Sequence, residues 1–140
     1  MEDLKEVADV LWQHTDTIDE FIEANEERLS AVERTLLESW RRPISERFVL
    51  ERHLTKGSIF LESKAGTVYL VKGLTDPWSI MFANIAPPIL LDTTLIPFRD
   101  CIISDGLTMM QNICFSTEAR NDFKDVYMNA KQKGKIISSL

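Results

Sequence analysis

The side chains able to do chemistry are few. His14 and His53 are the only imidazoles, and imidazole is the usual general base near neutral pH. A nucleophilic triad needs nucleophile, base and orienting group within hydrogen-bond reach, and neither histidine accompanies a Gly-x-Ser-x-Gly or strand-to-helix Cys elbow. His14 falls on the polar side of the first helical segment, and His53 ends a strand in Glu51-Arg52-His53-Leu54. Both read as surface or hydrogen-bonded structural residues. Cys101 and Cys114 sit in apolar stretches and read as buried free thiols. No two of these four residues have the close spacing of a zinc site. Phosphate-loop and dinucleotide glycine patterns are missing too. No catalytic residue, metal or cofactor is expected.

Three further groups remain. Asp92, Asp100 and Asp105 lie in or between consecutive strands. Brought together, they would hold a divalent ion for chemistry on a phosphorylated or nucleotide-like small molecule. Turn formation explains Asp100 and Asp105 more simply, since Asp105-Gly106 is a strong hairpin signal. Arg41, Arg42, Arg47 and Arg52 gather where helices give way to strands, and guanidinium groups bind phosphate or carboxylate well. Pairing with acidic helices is the plainer role for them. Trp12 and Phe21 fall off the main helical stripe and suit an interface, whereas Trp40 reads as core.

The elements that must position these residues follow from periodicity. Leu4, Ala8, Leu11, Thr15, Ile18 and Ile22 repeat at four-three spacing, with Val7 widening the stripe. Ser30-Ala31-Val32-Glu33 is a capping-box pattern, followed by Val32, Leu36, Leu37 and Trp40 on one face. Two helices over 2–24 and 31–42 form an N-terminal hairpin. After Pro43 the texture turns aromatic and β-branched, in Phe48-Val49-Leu50, Ile59-Phe60-Leu61 and Val68-Tyr69-Leu70-Val71, with turns at Gly57 and Gly66. Asp76-Pro77 predicts a capped short helix over 77–83. Strands follow at Ile89–Phe98, where Pro97 marks an edge or bulge, at Cys101–Ser104 and at Met109–Phe115. Ser116 opens a last helix that Gly134 stops, and Ile136-Ile137 adds an edge strand or packed tail.

Helices, then a run of strands, then a helix indicate α+β. The middle is a mostly antiparallel sheet, or a partly closed barrel, of about five to six strands, with the C-terminal helix packed on it. One domain is expected over 1–140, divided into the helical hairpin 1–42, the β-rich part 43–115 and the tail 116–140.

Composition narrows function by exclusion. The chain has 140 residues, is 44% hydrophobic and carries a net charge of −6, which is too apolar for disorder. Its apolar runs fall short of the about 18 residues of a membrane span, and the acidic start is unlike a secretory leader. Residues 1–27 hold ten acidic side chains against Lys5 alone, and 28–56 hold seven basic against four acidic. That balance argues against nucleic acid as partner. A cytoplasmic location without membrane contact is expected.

From residue 28 onward the chain resembles an uncharacterised bacterial domain family. The likeness rests on Leu36-Leu37-Glu38-Ser39-Trp40, Arg52-His53-Leu54, Val71-Lys72-Gly73-Leu74-Thr75-Asp76, Leu95-Ile96-Pro97-Phe98, Ser104-Asp105-Gly106-Leu107 and the ending Gly134–Leu140. It covers about four-fifths of the chain and brings no reaction or ligand. The functional expectation is therefore a non-enzymatic binding or assembly module that associates with itself or a protein partner through the N-terminal helices. The metal-dependent enzyme using the aspartates is the alternative.

Overall fold

Strand pairing begins where the sequence becomes β-branched and aromatic. In the computed structural model, which describes residues 2–140, β1 (Ile44–Leu54) pairs antiparallel with β2 (Gly57–Glu62), and β2 with β3 (Val68–Val71). On its other side β1 pairs with β4 (Ile89–Phe98). The far edge of β4 is shared: β5 (Cys101–Ser104) takes 95–98 and β6 (Met109–Gln111) takes 90–92. The order β3-β2-β1-β4-β5 curls into a half-barrel whose ends touch. There the Lys72 amide donates to the Ile102 carbonyl at 2.9 Å, in a single parallel bridge to β5.

Both faces of this sheet are apolar, as the sequence predicts, and both are covered. Phe48, Leu50, Phe60, Leu91, Leu95 and Ile102 point to the inside of the curl, where the short helix α4 (Trp78–Met81) adds Trp78. The Trp78 ring lies 5.1 Å from Phe60, edge-on, and stacks on Phe82. Val49, Ile59, Leu61 and Leu90 point outward, against Tyr127, Phe123 and Ala130 of the C-terminal helix α5 (Thr117–Lys133). Ser116 caps α5 by accepting the Ala119 amide, and Gly134 ends it at φ 65°.

A register shift between Leu50 and Arg52 makes Glu51 the extra residue of a β-bulge. It reverses the alternation of the last part of β1. Arg52 therefore turns outward, with its guanidinium 4.2 Å above the Tyr127 ring, while His53 turns inward opposite Ser58.

The N-terminal region differs in detail from expectation. The predicted helix over 2–24 is two helices, α1 (Glu2–Gln13) and α2 (Asp16–Ala24). The His14 carbonyl accepts the Thr17 amide and hydroxyl, which turns the chain between them. The helix α3 (Ala31–Ser39) starts where the capping pattern places it, with Ser30 Oγ accepting the Glu33 amide at 3.1 Å. It ends before 42, and Trp40, half-buried, donates its indole N–H to the Pro97 carbonyl at 2.8 Å. Pro97 lies beyond the end of β1, so its missing N–H leaves no ladder bond unmade.

Three smaller expectations also change. Pro77, rather than Asp76, holds the cap position of α4, which ends at Met81 instead of 83. The sixth strand stops at Gln111 because β4 offers it only Leu90–Asp92. Cys114 is consequently exposed rather than buried; it and the half-buried Cys101 are free thiols. The tail adds a single parallel bridge from Ile137 to Tyr69.

Candidate functional site

The segment Arg41-Arg42-Pro43 sits at one wall of a cleft of about 950 Å³ between α1 and the sheet. The opposite wall is the polar arc of α1, with Glu6, Asp9, Trp12 and Gln13. On a helical wheel these four residues share one side, while Leu4, Val7, Ala8 and Leu11 share the other. The apolar stripe that the periodicity places against the core instead faces away from it: Leu4, Val7 and Leu11 are 59%, 67% and 40% exposed. In α2 the pattern is the usual one, since Ile18 and Ile22 are buried, although Phe21 stands out in solvent.

The cleft floor is organised by cross-strand pairs. Arg47 on β1 lies directly opposite Asp92 on β4, and its Nε donates to Oδ1 at 2.9 Å and its Nη2 to Oδ2 at 3.3 Å. Gln111 of β6 donates a third hydrogen bond to the same carboxylate at 2.7 Å. The Asp92 hydrogen bond, followed by its charge, raises the Arg47 pKa above its ordinary value. Beside this pair Ser45 meets Thr94 at 2.7 Å, while on the other face of β4 Thr93 meets Ser104 at 3.0 Å and Thr108 at 3.1 Å. Trp12 donates its indole N–H to Asp105 Oδ2 at 2.9 Å, while Asp105 Oδ1 accepts the Leu107 amide and shapes the turn through Gly106. Arg41 pairs with Asp19 of α2, and Lys64 approaches Glu46 at 3.8 Å.

The residues singled out in the sequence thus separate. Arg41, Arg42 and Arg47 line the one cleft, and Arg42 forms no ion pair among the described residues. Arg52 does not join them, because the bulge sends it to Tyr127, where Glu51 also binds it at 2.9 Å. Trp12 and Asp105, 93 residues apart, are brought together by their hydrogen bond. Phe21 touches none of this. The three aspartates go separate ways: Asp92 to Arg47, Asp105 to Trp12, and Asp100 to an exposed turn. Among the described residues no group of three or more His, Cys, Asp or Glu could hold a metal ion. The acidic excess of 1–27 is mostly solvated. Arg34 reaches Glu26 and Arg41 reaches Asp19, while Glu6, Asp16, Glu20, Glu23 and Glu27 have no ion pair among the described residues. The side chains of Glu2 and Asp3 lie outside the described residues.

Balanced charge and many internal pairs suit the cleft to polar contacts. Sequence reasoning missed the pair His53–Ser58, where Nδ1 and Oγ lie 2.7 Å apart. The bulge at Glu51 that creates it leaves no mark in the local pattern, and Gly57 beside it was the available signal. Comparison with known proteins finds no matching family model, no matching curated protein and no matching solved structure. No helix among the described residues is long and apolar enough to cross a membrane.

Proposed function

We propose that the chain is a non-enzymatic binding or assembly module, and that the outward stripe of α1 is the surface on which a second copy or another protein docks. One observation carries this reading: α1 turns its polar arc towards the sheet and leaves Leu4, Val7 and Leu11 in solvent. A water-facing apolar stripe on an otherwise amphipathic helix is what an interface requires before its partner arrives. Phe21 and Val32, both exposed, extend the apolar area of the helical region. The two free thiols fit a reducing compartment, so we place the module in a bacterial cytoplasm. The enzymatic alternative draws no support from the separated aspartates, and the acidic balance disfavours nucleic acid as partner.

Sedimentation equilibrium of the wild type and of the Val7→Glu/Leu11→Glu variant tests the reading. The wild type should exceed its 16.1 kDa monomer mass as concentration rises, and the variant should remain monomeric with an unchanged thermal transition. A wild type monomeric at every concentration overturns self-association. A variant that loses the folded state shows that the stripe faces the core, and overturns the docking surface altogether.

A further inference from the structure

A second cavity, of about 640 Å³, opens at the end of the half-barrel where the sheet closes on itself. Its wall comes from the β1–β2 turn, the end of β3, the loop into α4 and the β4–β5 turn. Two glycines in that wall allow no side chain. A Cβ on Gly73 would lie 1.8 Å from the Asp76 carbonyl oxygen, and one on Gly57 would lie 2.7 Å from that of Val71. At Gly66, Gly106 and Gly134 a Cβ would meet nothing within 4 Å. The chain is therefore wound tightly around this pocket and loosely at its other glycine turns.

A residue of the pocket wall also carries an unmet hydrogen-bond donor. Trp78 is 4% exposed and forms part of the wall, yet its indole Nε1 has no acceptor in the protein. Ser58, 2% exposed and also in the wall, is engaged with His53 Nδ1 at 2.7 Å. Burying a donor without an acceptor forfeits its hydration, so such groups mark places where an outside acceptor is gained at a profit. Charge points the same way. Lys56 and Lys72 line the pocket without an ion pair among the described residues, and Asp100 is the one carboxylate in its lining. This is a locally basic site in a chain of net charge −6.

We propose that this pocket binds a small oxyanion-bearing ligand, a carboxylate or a phosphate, with Lys56 and Lys72 supplying charge and Trp78 Nε1 the buried donor. Paired ammonium groups attract the anion, and the indole N–H gives it direction. Hydroxyls of Thr75 and Ser79 at the rim can hydrogen-bond a polar body on the ligand. The site stands at the end of the barrel, apart from the α1 stripe, and does not depend on the assembly reading.

The test follows the Trp78 indole N–H resonance by NMR, titrating the full chain with inorganic phosphate and, separately, with acetate, against sodium chloride at equal ionic strength. The resonance is assigned by comparison with the Trp78→Phe variant, or from contacts to Phe60 if that variant fails to fold. Saturable displacement by phosphate or acetate is expected, with the Trp12 and Trp40 indole signals unmoved; whichever anion binds more tightly identifies the ligand class. The Lys56→Ala/Lys72→Ala variant, altered only at exposed positions, should fold normally and weaken binding at least tenfold, and Asp100→Asn should tighten it. No saturation by either anion, an equal response to chloride, or unchanged binding by the double-lysine variant would overturn the proposal.

Discussion

The half-barrel and the N-terminal helices treat the same kind of residue in opposite ways. In the sheet, Phe48 and Leu91 vanish inside the curl, while Val49 and Leu90 vanish under α5. In α1, Leu4, Val7 and Leu11 form an equally regular stripe and remain in water. The difference lies in what stands opposite. Across from α1 are the Arg47–Asp92 pair and an Asp105 carboxylate that accepts the Trp12 indole N–H. Pressing a leucine stripe onto those groups would strip water from charges without returning hydrogen bonds. The helix therefore offers its polar arc to them. Periodicity tells which residues share a side; the chemistry of the facing surface decides which side turns inward.

Substitutions that act differently on the two regions probe this contrast. Phe60→Ala should be the most damaging, because the ring is fully buried between Phe48 and Trp78. A loss of about 3–5 kcal/mol is expected in urea unfolding, and a loss below about 1 kcal/mol would mean that the barrel interior is loosely filled. Gly73→Ala comes next, at about 1–3 kcal/mol, since its Cβ would collide with the Asp76 carbonyl and open the turn.

The third effect is a pH dependence. Burial holds the His53 imidazole below its ordinary value of 6.5. The unfolded chain then binds the proton more readily than the fold, so stability is full above about pH 6.5 and falls as the pH drops towards the lowered value. His53→Gln should flatten that part of the stability–pH curve, and an unchanged slope would show that other groups set it. The smallest effect belongs to α1. Val7→Glu should alter the stability of the monomer by no more than about 0.5 kcal/mol in either direction, and a core-sized loss would erase the contrast between the two regions.

Much of the architecture was legible in the sequence because its signals are local. Ser30 and Ser116 accept the amides three residues on, as capping residues do, and Gly134 takes the left-handed conformation that ends α5. The strands around Phe48, Phe60 and Tyr69, and the turns at Gly57 and Gly66, are where β-branched runs and glycines place them. What escaped is non-local. Arg47 and Arg52 were grouped by proximity in the chain, but the extra residue Glu51 sends Arg52 to Tyr127. The same bulge delivers His53 to Ser58, a meeting that no spacing rule anticipates. Cys114 follows an apolar neighbour, yet its strand runs out of partner before reaching it. The orientation of α1 depends on residues eighty or more positions away, such as Asp92 and Asp105, and the spacing within α1 carries no trace of them.

The outer edge of β3 is covered in two instalments. Ile137 donates its amide to the Val68 carbonyl and accepts the Leu70 amide, and Ile102 accepts the Lys72 amide. A ribosome that has released everything up to α5 has therefore made a sheet with half of that border still bare. Nascent chains stalled before residue 136 would display a ready template for pairing with a neighbour.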